Sequence, residues 1–445
     1  MKMNAIIVPN ITDFNKGDQA LVWESWRLIK DTGLYNNIFI LTSEEVDQSN
    51  KISVGQSKDR NDFKFIPEIL KHPRRNKHKT EEHVADSKFE TFRMIKNASL
   101  DFLRTNKLLN ICTDLNKVKR EFDEDVYRTV QAFHEADAIY VKGGGFIHAY
   151  GEMTAPYLMW YFLFYIRLAK ALKKKIIILP NSFGPFEGLT VKKQVRSVLS
   201  KVDLIYAREH VSSESLSKLL DKEIPVEMDL GFFLKKDDSL KAEDLLKKYN
   251  LNETSKIIGI TIRPWRFPGL QNPETLYHKY LKSVADLISH MILKGFKIAL
   301  CNQSIGPNAH EDDRNAIKDL LNIISNEKII WIDEDLTCSE LKALYSKFYF
   351  FIGTRFHSII FSLTSIIPSI AIGYGGNKAK GIMGEFNLNE NVIPIHEVTS
   401  SKLIKMFDNA IKSYYKIQSN LTESLTKIDE SRGRIIEDIK RLYES

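Results

Sequence analysis

Arg355, His357 and Lys378 bring a guanidinium, an imidazole and an ammonium into one short stretch of the chain. A guanidinium grips a carboxylate or phosphate through two parallel donors, and an imidazole exchanges protons near neutral pH. Together they suit a small anionic substrate and a proton transfer. His357 is the candidate general acid or base. Its alternative is a core histidine hydrogen-bonded at a helix start, but Arg355 and Ser358 flank it where a strand ends, which favours catalysis. Arg355 suits an ion pair that holds its loop equally well. The positioning elements are legible around these residues. An apolar run at 348–352 reads as a strand buried on both faces, Gly353 and Thr354 break it, and 359–366 has the length and character of a helix. A second buried run at 369–372 leads into Tyr374 and on to Lys378. Such a strand–turn–helix–strand unit sets its loops at the carboxyl edge of a parallel sheet, where α/β proteins hold ligands.

Other candidates lie upstream. A strand at 5–8 runs into Asn15-Lys-Gly17-Asp18, ahead of a helical pattern through residue 29. Gly17 permits a tight turn, and Asp18 either caps the helix or orients an acceptor hydroxyl. The strand at 136–141 ends in Lys142-Gly143-Gly144-Gly145, whose backbone amides can approach a phosphate or sugar hydroxyl closely. His148 follows as a second, weaker acid/base candidate. The glycine spacing is neither the dinucleotide fingerprint nor a phosphate loop with Gly-Lys-Ser/Thr. Ser182 follows the strand at 175–179. Arg208 follows the one at 202–207 and either binds an anion or bridges two domains. Arg263 ends the strand at 257–262 as a further anion binder.

The whole chain bounds these readings. Its 445 residues exceed one ordinary core, so two domains are expected. A net charge of +7 favours anionic small substrates, or a weak pull toward an acidic membrane face, over nucleic acid. Cys112, Cys301 and Cys338 are widely spaced and form neither a metal-ligand pattern nor a disulfide framework, as expected in a reducing compartment. The N-terminus reads as a first strand and not a signal peptide, and the apolar stretch 157–166 is too short to span a bilayer. A cytoplasmic enzyme is expected.

Strands alternating with helices over residues 1–234 predict a doubly wound α/β domain, and the same pattern recurs at 257–400. Residues 235–256 read as the crossing between them, with one short helix. Residues 46–130 form a basic insertion, helical in its later part; KHPRRNKHK at 71–79 reads as a solvated loop or as a patch for acidic glycan or lipid. The aromatic-rich helix at 157–172 reads as core. Asn181-Ser-Phe-Gly-Pro185 is echoed by Asn302-Gln-Ser-Ile-Gly-Pro307, in line with two domains of one plan. From 401 to 445 the apolar spacing predicts a long amphipathic helix bracing both domains.

Taken in order, Asn15-x-Gly17-Asp18-x-Ala20, Gly143–Gly145, Ser182-x-Gly184-Pro185-Phe186, Ala207-Arg208-Glu209, Asp229, Arg355-x-His357-Ser358 and Tyr374 with Lys378-x-x-Gly381 resemble the polysaccharide pyruvyl transferase family. The resemblance implies two Rossmann-like domains facing across a cleft, as in GT-B glycosyltransferases, with the acceptor on the N-terminal side and the donor on the C-terminal side. It implies an enzyme that moves pyruvyl from phosphoenolpyruvate to a sugar of a surface polysaccharide or its lipid-linked precursor, with no metal or redox cofactor. Peripheral contact with the inner membrane face and an oligomeric state are compatible with it. The chain departs from the family pattern at Asn181, where glutamine is usual, at the spacing of Lys378 from Tyr374, and in residues 46–130. A nucleotide-sugar glycosyltransferase of the same architecture, or a non-catalytic glycan-binding protein, would carry many of the same cations.

Overall fold

The computed structural model describes residues 3–42, 52–71, 88–239, 241–251, 256–268, 270–374 and 378–444. The N-terminal sheet contains β1 (Met3–Ile11), β2 (Tyr35–Thr42), β3 (Lys64–Pro67), β4 (Ala138–Val141), β5 (Gly144–Tyr150), β6 (Lys175–Glu187) and β7 (Leu204–Ala207). All pairings are parallel. β6 pairs with β4 through its first half and with β5 through its second, while β7 takes its other edge. β4 and β5 are therefore one line of chain interrupted at Lys142-Gly143, and the sheet runs β3-β2-β1-β4/β5-β6-β7. In the second domain β8 (Ile257–Thr261), β9 (Lys297–Cys301), β10 (Ile329–Ile332), β11 (Phe350–Gly353), β12 (Ser369–Gly373) and β13 (Val392–Pro394) are ordered β10-β9-β8-β11-β12-β13. Both domains thus share one strand order, that of a Rossmann fold.

Alternation along the strands builds two layers. Ile6, Val8, Ile139, Val141, Ile176 and Ile178 pack with the helices at Glu124–Glu135 and Ala155–Ala171 on one side of the first sheet. Their neighbours Ala5, Ile7, Tyr140, Ile177 and Leu179 face the opposite way, into a core that runs without a break into the second domain. The three cysteines are buried and free.

Several expectations are corrected. Gly17 is not in a tight turn but inside the helix Lys16–Asp31, which Asn15 caps by accepting from the Gly17 and Asp18 amides. Asn181-Ser182 is strand and not loop, because β6 extends to Glu187 to meet β5. The stretch 46–130 contributes β3 to the sheet edge, besides helices at Lys88–Ile111, Leu115–Glu121 and Glu124–Glu135; most of the basic run at 71–79 lies outside the described residues. The Gly-Pro echo falls on β6 and after β9, the fifth and second strands of their sheets, so it does not mark equivalent positions. The C-terminal region is two helices, Ser400–Lys412 and Tyr414–Arg441. The first packs on the second domain and the other returns to the first, where Arg434 forks onto Glu227 at 2.7 and 2.9 Å.

The domains are stitched together beside the first helix. Asn15 and Ser304 form an isolated bridge, and the Lys16 amide donates to the Gln303 carbonyl. The Lys16 ammonium, 2 % exposed, donates to the Asp13 carbonyl (2.7 Å), Gln56 (2.9 Å) and, across the domains, Asp335 (2.8 Å). Lys16→Met removes three hydrogen bonds of a buried ammonium, one of them across the domains, and is expected to cost about 1–3 kcal/mol. A denaturant midpoint equal to wild type would contradict that role for Lys16.

Candidate active site

The carboxyl edges of the two sheets enclose a cavity of about 370 Å³ lined from both domains. Asn15 and Asp18 enter it from the first helix, Gly144, Gly145, His148 and Tyr150 from β5, and Arg208 from the end of β7. The second domain supplies Trp265, Thr354 to His357, and Tyr374.

His357 lies in the first turn of the short helix Phe356–Leu363, directly after β11. Its ring is wedged against the first domain: a Cβ on Gly17 would come within 2.1 Å of Nδ1, and one on Gly231 within 2.9 Å of Cδ2. Nε2 is buried with no hydrogen-bond partner and stands 3.6 Å from Asp229 Oδ1. That separation is an electrostatic contact and not a hydrogen bond. Asp229, 1 % exposed, accepts from the Gly231 amide at 2.7 Å and from Arg208 Nη1 at 2.5 Å. Burial alone would push this carboxyl up; Arg208 and His357 overcome it and hold the group well below the usual carboxylate range. A permanently anionic side chain therefore faces the imidazole. Sequence spacing gives no hint of this pair, since Asp229 and His357 belong to different domains.

The other candidate residues fall into two groups. Asp18 faces the cavity and is 40 % exposed at its side chain, with Lys142 Nζ 4.0 Å behind its carboxylate. Lys142 is buried and donates to the Asn10 carbonyl, and burial lowers its pKa against the pull of Asp18. His148 lines the cavity beside Tyr150, with ring centroids 5.2 Å apart. Gly144 and Gly145 line it as well, whereas Gly143 is packed beneath Leu230 and the Pro180 carbonyl and does not. Ser182 is buried, accepting from Arg208 Nε at 2.7 Å and donating to Glu209, so it positions the guanidinium and does not face the cavity. Ser358 is completely buried, bonded to the Arg355 carbonyl and Thr261, and closes the helix start from within. The Lys378 side chain lies outside the described residues.

Arg355 reaches the cavity wall, but its donors are occupied. Nε and Nη2 hold Asp313 at 2.9 and 2.7 Å, Nη1 holds Glu311 at 3.0 Å, and Nη2 also meets the Glu311 carbonyl. The ion-pair reading of Arg355 is the one its geometry describes. Arg263 adds to the same cluster, 3.3 Å from Glu311, with its guanidinium over Tyr374 and near Trp265. Asp313 also accepts from the Gln303 and Ser304 amides, so the cluster ties the His357 loop to the segment that touches the first helix.

Across solved structures the architecture is a familiar one. The UDP-GlcNAc 2-epimerase from Neisseria meningitidis bound to UDP-GlcNAc matches with a TM-score of 0.57 at 12% identity, covering 99% of this chain and 100% of that one. A glycosyltransferase from Rickettsia africae matches at 0.54 and 14% identity, covering 99% and 97%. At these identities the likeness defines the fold: two Rossmann-like domains of GT-B type around a shared cleft. Within that class the chain belongs to the polysaccharide pyruvyl transferase family, whose model matches residues 15–376, from the Asn15 cap to just beyond Tyr374. It is a transferase. The amylovoran biosynthesis protein AmsJ of Erwinia amylovora is 23% identical over 309 residues, covering 68% of this chain and 72% of the relative.

Two outcomes follow from the geometry. Gly17→Ala drives a methyl into the His357 ring and is expected to reduce turnover by about a hundredfold, the usual weight of an ångström-scale misplacement. Normal turnover in that variant would show that the ring position does not matter. Separately, burial raises the Glu311 carboxyl, but Arg355 and Arg263 outweigh it and hold the group at about 2, below its ordinary 4.5. A depressed carboxyl stabilises fully above its unfolded pKa, so the wild-type advantage over Glu311→Gln should be constant above pH ~5 and shrink toward pH ~2. Denaturant titrations at several pH values read it; a pH-independent difference would remove Glu311 from the ionised cluster.

Proposed function

We propose that the chain transfers the pyruvyl group of phosphoenolpyruvate to hydroxyls of a sugar in a surface polysaccharide or its lipid-linked precursor, forming a ketal and releasing phosphate. The Erwinia relative's name, an amylovoran biosynthesis protein, supports the biosynthetic setting, which we place on the cytoplasmic side of the membrane. The carrying observation is the buried His357 Nε2 facing an ionised Asp229 at the interdomain cavity.

The reaction defines what the site must do. A proton is added to the vinyl CH2, leaving an oxocarbenium-like carbon at C2. A sugar hydroxyl oxygen bonds to C2 and gives up its proton, phosphate departs with the electron pair of the C2–O bond, and a second hydroxyl oxygen bonds to C2 and passes its proton to the released phosphate, closing the ketal. His357 delivers the proton to the vinyl carbon, and the anionic Asp229 stabilises the imidazolium that delivers it. Asp18, the accessible carboxylate on the acceptor side, takes the hydroxyl proton. The Arg208 guanidinium and the helix start at Phe356–His357, which carries no side-chain cap, receive the phosphate. The chemistry calls for no redox cofactor.

A phosphate-release assay with phosphoenolpyruvate and a panel of lipid-linked and nucleotide-linked sugars tests the reading. His357→Ala should fold and lose at least about a hundredfold in turnover. Release of nucleoside diphosphate from nucleotide sugars, with phosphoenolpyruvate untouched, would favour a glycosyltransferase instead.

A further inference from the structure

Beyond the cavity, the first domain carries an open groove of about 800 Å³ between the helices Lys88–Ile111 and Ala155–Ala171. Its lining is predominantly apolar, and several of its large side chains stand in solvent: Met153 is 87% exposed, Leu103 67% and Phe102 43%. Leu189, adjoining the groove residue Thr190, is 81% exposed. Side chains of this size clustered on one face mark an interaction surface. The groove is firmly built. Phe102 packs edge-on against Trp160 at 4.7 Å, Trp160 donates to Thr105 and Tyr157 donates to Asp101.

The polar side of the groove is positive. Arg167 lies over the Trp160 ring with its Nε buried and unpaired, Lys193 lines the rim, and Lys192 is exposed beside it. Among the described residues no carboxylate pairs with Arg167, Lys192 or Lys193. Lys170 joins them at the next turn of the helix, its pKa lowered by burial and then by the like charges of Lys201 and Arg167. Exposed apolar side chains flanked by uncompensated cations match a surface with an apolar interior and anionic headgroups.

We propose that this groove docks the protein on an anionic lipid bilayer. Met153, Leu103 and Leu189 enter the headgroup–acyl boundary, while Lys192, Lys193 and Arg167 meet lipid phosphates. β5 links this face to the cavity: His148 and Tyr150 line the cavity, and three residues on Met153 lines the groove. Docking here brings the acceptor side of the cleft to the bilayer surface. Among the described residues no helix is long and apolar enough to cross a membrane, so attachment at this face is peripheral.

Vesicle co-sedimentation tests this without reference to catalysis. Wild type should partition onto phosphatidylcholine vesicles containing phosphatidylglycerol and much less onto phosphatidylcholine alone. Leu103→Glu with Met153→Glu should weaken that partitioning at least about tenfold, and K192E with K193E should do the same while flattening its salt dependence. Both pairs are exposed and should leave the melting temperature near wild type. Wild type remaining in the supernatant, or apolar variants that bind unchanged, would overturn the proposal. So would a dimer that Met153→Glu converts to monomer, since a second copy would then cover the groove. Should a variant fail to fold, amide exchange on wild type decides: vesicles must protect 95–103 and 153–160, and unchanged exchange there refutes docking.

Discussion

The His357 ring fills the space left by two missing side chains, those of Gly17 in the first helix and Gly231 beyond Asp229. That fit joins the two domains at the candidate site. The ring can sit there only because Asn15, Lys16 and Gln19 hold the first helix against the second domain, through Ser304, Asp335 and the Cys338 amide. Once seated, its Nε2 faces the Asp229 carboxylate at 3.6 Å. The imidazole and the carboxylate are thereby brought together from residues of different domains.

Charge is divided between support and chemistry. Arg355, the most conspicuous cation in the sequence, spends its donors on Glu311 and Asp313 and so fixes the loop that carries His357. This is expected of a guanidinium only 4 % exposed, because a buried cation is costly unless several acceptors satisfy it. Arg208 is buried too, but it lines the cavity, held by Asp229 and Ser182, with Phe356 stacked against it.

The peripheral elements act on the same seam. The helix Tyr414–Arg441 leaves the second domain and runs back over the first, pairing Arg434 with Glu227, Ser431 with the Met228 amide and Tyr206 with Asp438. Glu227 and Met228 immediately precede Asp229, so the returning helix fixes the segment that presents the carboxylate. Single exposed ion pairs contribute little. The buried face of that helix puts Leu421, Ile428, Ile435 and Ile439 into the core shared by the two domains, and this apolar burial is stabilising.

Two Rossmann-like domains were legible in the sequence, because apolar runs and their spacing register local structure directly. The ordered set of short motifs led to the family. Tertiary structure alone decided how those pieces act. It turned Gly17 from a turn residue into a seat for an imidazole, withdrew Ser182 and Ser358 into the interior, committed Arg355 to acidic partners, and set Asp229 opposite His357. Each of these depends on which side chains from distant strands meet across the domain seam, and periodicity, which reports only near neighbours along the chain, carries no record of such meetings.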